Sequence, residues 1–88
     1  MLKKPRRVKD VVQKNLGKED LLYNPQTKSV HVLNKTSSLI WDLCDGDNDL
    51  GMIKKEIESR FDVSNYNNLK EEIEETLDKF KELGLIEF

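Results

Sequence analysis

Few side chains in this sequence have the types or spacing that chemistry needs. His31 is the single histidine and Cys44 the single cysteine. A metal site or an activated nucleophile needs partners of those types. His31 therefore reads as a surface strand residue, and Cys44, on the apolar face of a helix, as a small buried hydrophobe. A lone cysteine also rules out an internal disulfide. Asp42, Asp45, Asp47 and Asp49 share only composition with a calcium loop, because the required glycine position and the closing bidentate glutamate are missing. Helix capping and solvation account for them. The four glycines fall in separate turns, so no phosphate-cradling loop is present. This inventory predicts a protein that is not an enzyme and has no resident metal or cofactor.

The bulk properties narrow the class further. Eighty-eight residues make one domain with a thin core. Hydrophobic and charged residues each make up 36%, and the apolar ones recur periodically, which sets the chain apart from disordered sequences. The net charge of −2 conceals an asymmetry: residues 1–18 carry seven cations against Asp10, or +6, and the remainder carries −8. Residues 1–7 read as a basic, flexible N-terminal arm, and residues 8–88 as the single folded domain. Such an arm suits an acidic partner face. No apolar run reaches the ~20 residues of a membrane span, and no apolar segment follows the basic start as in a secretory signal. A cytoplasmic protein without a membrane partner is the expectation.

The elements that would position a site follow from periodicity. Val8–Lys14, Asp20–Tyr23 and Ser29–Leu33 read as three strands of an antiparallel meander, joined by turns at Asn15-Leu16-Gly17-Lys18 and Asn24-Pro25-Gln26-Thr27. The period then lengthens from two to about 3.6. Asn34 or Thr36 caps a helix bearing Leu39, Ile40, Leu43 and Cys44, which Gly46 ends. Asp49 caps a second helix with Leu50, Ile53, Ile57 and Phe61. Asn68 with Glu71 has capping-box spacing for a third, although Ser64 could start it earlier. Its stripe is Tyr66, Leu69, Ile73, Leu77, Phe80 and Leu83, and Gly84 stops it before an apolar tail. The fold class is α+β: a three-stranded antiparallel meander followed by three helices, close to a winged helix.

The third strand is an edge on this reading. Its unpaired N–H and C=O groups can template another chain, with alternating side chains setting specificity. Val30 and Val32 share one face, and Ser29, His31 and Leu33 the other. The competing reading of Val30 and Val32 is ordinary core. The stripe of the last helix is wide, so one margin could line a groove beside the strand; Ile73, Leu77 and Lys81 are the candidates. Trp41 either covers the core edge or helps a partner site. An exposed edge can also pair with its own twin, which leaves homodimerisation open.

Val30-His31-Val32-Leu33-Asn34, followed by Thr36, Ile40-Trp41 and Leu43-Cys44-Asp45-Gly46, resembles the central motif of the PqqD-like family. The likeness takes in Leu22-Tyr23-Asn24-Pro25 before it and Ile53, Ile57, Leu77, Phe80 and Gly84-Leu85-Ile86 after it, nearly the whole chain. The resemblance implies a recognition element for ribosomally made, modified peptides. In that mode a precursor's leader peptide adds a strand to the third strand, lies against the third helix and is presented to a modifying enzyme, commonly a radical SAM enzyme. The alternative is a winged-helix DNA-binding protein. Between Leu69 and Leu83, however, six acids face three bases, and a helix of that charge is repelled by a polyanion. No nucleic-acid partner is expected.

Overall fold

The structure is a computed structural model that describes residues 4–61 and 68–88. In chain order the elements are β1 (Arg6–Arg7), β2 (Val12–Asn15), β3 (Asp20–Asn24), β4 (Ser29–Leu33), α1 (Lys35–Leu43), α2 (Leu50–Arg60), α3 (Leu69–Glu82) and β5 (Ile86–Glu87). The antiparallel sheet has the order β2-β3-β4, and the helices follow it, as the change of period predicts. Register pairs Val12 with Tyr23 and Lys14 with Leu21 on one side of β3, then Leu21 with Val32 and Tyr23 with Val30 on the other.

Local chemistry sets the helix starts. Asn34 accepts from the Ser37 N–H at 2.9 Å, Asp49 from Met52 at 2.9 Å and Asn68 from Glu71 at 3.2 Å. Each satisfies a donor that the first turn leaves without an intrahelical partner. Asn34, not Thr36, is the first cap. Ser64 and Tyr66 lie outside the described residues. At the far end of α3, Gly84 takes φ +73°. The Leu85 N–H then reaches the Phe80 carbonyl at 2.8 Å and the Gly84 N–H that of Lys81 at 3.0 Å, a paired closure that favours glycine at the left-handed position.

The helices pack on one face of the sheet around Leu22, Leu33, Ile40, Trp41, Cys44, Ile53, Ile57, Ile73, Phe80 and Leu85, all buried. Trp41, left open by its place beside the stripe, is core: it is 1% exposed, and its ring meets Phe80 edge-on at 5.7 Å. Cys44 is also core, with its Sγ 3.1 Å from the Ile40 carbonyl. Burial pushes its thiol up to about 12, only partly opposed by Arg7, so the group stays a protonated hydrophobe.

The first strand of the meander starts later than predicted, at Val12, and a short strand precedes it. A turn at Lys9–Asp10, with the Val11 N–H bonded to the Val8 carbonyl at 3.3 Å, separates β1 from β2. β1 leaves the meander and pairs with β5, Arg6 opposite Glu87 and Arg7 opposite Ile86. The sequence reading placed Pro5, Arg6 and Arg7 in a flexible arm, and the structure differs. Pro5 is buried, and its carbonyl accepts from Gly46 at 2.9 Å. The Arg7 guanidinium donates to the carbonyls of Trp41 at 3.0 Å and Asp42 at 2.7 Å. Those are carbonyls at the end of α1, where a cation also meets the negative end of the helix dipole. Met1–Lys3 lie outside the described residues. Removing residues 1–7 should lower stability by about 2–4 kcal/mol, at about 0.5–1.5 kcal/mol per lost hydrogen bond. An unchanged urea midpoint after this truncation would contradict the packed strap.

A polar chain ties the sheet to this core. Trp41 Nε1 donates to Gln13 Oε1 at 3.2 Å, and Gln13 Nε2 donates to Asp20 Oδ2 at 2.9 Å. Asn15 Nδ2 reaches the other Asp20 oxygen at 2.8 Å. The Asn15 bond is the main reason that the Asp20 carboxyl lies below its ordinary range, against the opposing effect of burial. A group whose folded pKa is depressed stabilises the fold above its unfolded pKa, and that contribution is lost as pH falls through the folded value. The stability gap between the wild type and Asp20→Asn should thus be full at neutral pH and close only below the usual carboxylate range. Urea titrations across pH 2–7 would show it.

Candidate functional site

β4 pairs with β3 on one side only, and no described strand covers its other edge. Successive residues along it alternate between faces. Leu33 is buried, Ser29 and His31 are half-buried against the helical layer, and Val30 and Val32 are each 55% exposed on the outer face. The core reading of the two valines is thereby corrected: the helices stack on the Leu22 and Leu33 side and leave the opposite side of the pleat to solvent. On the inner side His31 Nε2 and Ser29 Oγ are 2.9 Å apart, and Thr27 Oγ1 lies 2.6 Å from the same hydroxyl.

Two points fix the direction of α3 relative to the sheet. Near the C-terminal end of β4, a pocket of about 110 Å³ is lined by Asn34, Thr36, Ser37, Ile40, Leu69, Glu72, Ile73 and Thr76. At the other end of the strand pair, Asn24 Nδ2 donates to the Gly84 carbonyl at 3.4 Å. Helix and strand therefore run in opposite directions. Fourteen helical residues span about 21 Å and five strand residues about 17 Å, so the two are matched in length.

The predicted helix residues divide. Ile73 is fully buried yet forms part of the pocket wall. Leu77, 6% exposed, belongs to the core and does not line the pocket. Lys81 is exposed, with its ammonium 5.1 Å from the centre of the Phe88 ring, and it too is absent from the pocket. The margin that faces α1 and the end of β4 is Leu69, Glu72, Ile73 and Thr76. Asn34, Thr36, Ser37 and Glu72 also line the pocket, and the sequence reading does not include them. Their signal was present, since a capping segment directly after an edge strand must lie at the end of that edge.

The arrangement offers unpaired main-chain groups in a row, a side-chain-sized pocket at one end and a helix alongside. Among the described residues no three His, Cys, Asp or Glu side chains are grouped to hold a metal. A second depression, of about 250 Å³, lies between the β2–β3 turn, α1 and the end of α2, with charges of both signs from Lys18, Asp20, Lys35, Asp42 and Arg60. No helix among the described residues is long and apolar enough to cross a membrane.

A three-stranded sheet whose outer strands β2 and β4 each pair on one side only among the described residues, backed by three helices, makes this a small α+β domain of the winged-helix-like kind. Residues 19–86 match the family model of coenzyme PQQ synthesis protein D (PqqD), and the chain belongs to that family. No curated protein matches the chain. Among solved structures it is similar to TbiB1, determined in complex with the TbiA(beta) leader peptide. The identity is 21%, the TM-score 0.79, and the match covers 93% of this chain and 94% of that one. At that identity the likeness establishes the fold.

Proposed function

We propose that this chain is a non-catalytic module that captures the leader segment of a ribosomally made precursor peptide. The leader adds as a strand to β4, and the module presents it to a modifying enzyme in the cytoplasm. Membership of the PqqD family supports this reading, as does the shared fold of TbiB1, a protein solved with a leader peptide. The observation that carries it is the open β4 edge, antiparallel to α3, with a pocket beyond its C-terminal end between α1 and α3. Main-chain bonds along Ser29, Val30, His31, Val32 and Leu33 supply affinity, and the pocket takes one side chain. A radical SAM enzyme as the recipient rests on the family resemblance alone. DNA binding is disfavoured by charge, because Glu71, Glu72, Glu74, Glu75, Asp78 and Glu82 are all exposed on α3.

A heteronuclear NMR titration with the candidate leader tests this reading. Amides from Lys28 to Leu33 should shift together with those of Glu72, Ile73 and Thr76. Binding should persist at moderate salt, since buried apolar contacts are not screened as exposed ion pairs are. Shifts confined to α2 would displace the site.

A further inference from the structure

The direction of every main-chain group in the sheet follows from one bond at its first turn. The Leu16 N–H donates to the Glu19 carbonyl at 2.7 Å, which makes these two the bonded pair that closes the β2–β3 hairpin. Pairs along an antiparallel ladder alternate between bonded and non-bonded. The register runs without a break from Asn15 and Asp20 to Val12 and Tyr23, so Lys14 with Leu21 and Val12 with Tyr23 are bonded pairs. Leu21 and Tyr23 thus direct their N–H and C=O groups at β2, and Asp20, Leu22 and Asn24 direct theirs at β4. Their partners there are Leu33, His31 and Ser29. The N–H and C=O groups of Val30 and Val32 are left facing away from β3, at the edge that no described strand covers.

The side chains of the same two valines are each 55% exposed. Register sets them at the ends of two cross-strand rows, Val12–Tyr23–Val30 and Lys14–Leu21–Val32. A strand added to β4 extends both rows. Its residues level with Val30 and Val32 lie on the outer side, and the one between them, level with His31, turns toward the helices. β-Branched and aromatic residues pair well across strands with such valines. The free edge of β2 offers different chemistry. By the same alternation its edge-facing main-chain groups belong to Gln13 and Asn15, whose side chains are hydrogen-bonded to Asp20 and Trp41. A strand added there would lie beside amides already in use rather than beside exposed methyl groups.

We propose that Val30 and Val32 make the main-chain bonds to the leader within β4 and also select its sequence. The segment they select has β-branched or aromatic residues two positions apart, which lie beside these valines on the outer side of the sheet. The proposal rests on leader capture at β4. It adds a recognition element distinct from the pocket, which lies among α1 and α3 on the helical side.

Amide hydrogen exchange and binding of the full chain test it, with the synthetic leader of the titration above as the probe. In the chain alone, the Val30 and Val32 amides should exchange about tenfold or more faster than those of His31 and Leu33. Saturation with the leader should slow Val30 and Val32 about tenfold or more. The double variant Val30→Ala, Val32→Ala should bind the leader about two- to thirtyfold more weakly. Val12→Ala, in the same row as Val30 but two strands away, should bind as the wild type does. All three valines are exposed, so both variants should keep the wild-type circular dichroism. The proposal is overturned, with leader capture intact, if His31 and Leu33 are the fast amides of the free chain. The same holds if the double variant binds as the wild type does, or if Val12→Ala weakens binding equally. A leader that binds without slowing Val30 and Val32, or a failure of every leader to shift β4, overturns both readings. Protection of these two amides that rises with the concentration of the chain alone would place a second copy on the edge and overturn the proposal as well.

Discussion

Trp41→Ala is expected to cost about 3–5 kcal/mol, the range for removing a buried large aromatic from a packed interior. An 88-residue domain has about 4–13 kcal/mol in total, at about 0.05–0.15 kcal/mol per residue. Toward the lower end of that range the variant populates unfolded chain without denaturant. Trp41 joins three parts of the molecule. Its ring abuts Phe80 of α3, its Nε1 holds Gln13 of β2, and its carbonyl accepts from Arg7 of the N-terminal strap. Trp41→Phe keeps an aromatic ring against Phe80 and loses the indole N–H, so it should cost markedly less. Urea unfolding followed by far-ultraviolet circular dichroism separates the two. A loss below about 1 kcal/mol for the alanine variant would mean that the site relaxes around the cavity far more than buried aromatic sites do.

Proline substitution in β4 is expected to weaken leader binding about tenfold to a hundredfold, the equivalent of about 1–3 kcal/mol for one edge donor lost and the strand distorted. Successive N–H groups of a strand point to opposite sides, so His31→Pro and Val32→Pro together remove one donor that faces β3 and one that faces the open edge. The edge variant should keep a near-native unfolding midpoint and still lose affinity. The ladder variant should lose stability first. Gln26→Ala, in the exposed turn before β4, should change neither quantity. Leader affinity unchanged in both proline variants, with the fold retained, would exclude strand addition at β4.

Much of the fold is legible locally. Caps such as Asn34, Asp49 and Asn68 act on donors three residues away, and helical stripes repeat every three or four residues, so a short window of sequence contains the whole signal. The meander is legible for the same reason: its turns join neighbours, and Gly17 and Pro25 mark where the chain bends. The β4 edge follows from strand order alone.

What the sequence could not disclose involves partners far apart in the chain. Arg6 and Arg7 look like a solvated basic arm until Glu87 and Ile86 are set beside them, some eighty positions away. Nothing near Val8–Lys14 signals that a turn at Lys9–Asp10 parts it from a separate strand at Arg6–Arg7. The choice of groove margin on α3 has the same origin. Ile73, Leu77 and Lys81 share one side of the helix, and Leu69, Glu72, Ile73 and Thr76 another; periodicity treats both as borders of one stripe. Only the position of α1, which brings Asn34, Thr36 and Ser37 to the second margin, distinguishes them. The same holds for the two faces of the sheet. Alternation in Ser29–Leu33 assigns Val30 and Val32 to a common side, but a period of two is symmetric between inside and outside. By itself, then, the sequence determined the elements, their order and the open edge, because hydrogen-bonding and steric preferences act within a few residues. The tertiary structure decided which face the helices cover and which strand the N-terminus joins, because those depend on burial summed over the whole chain.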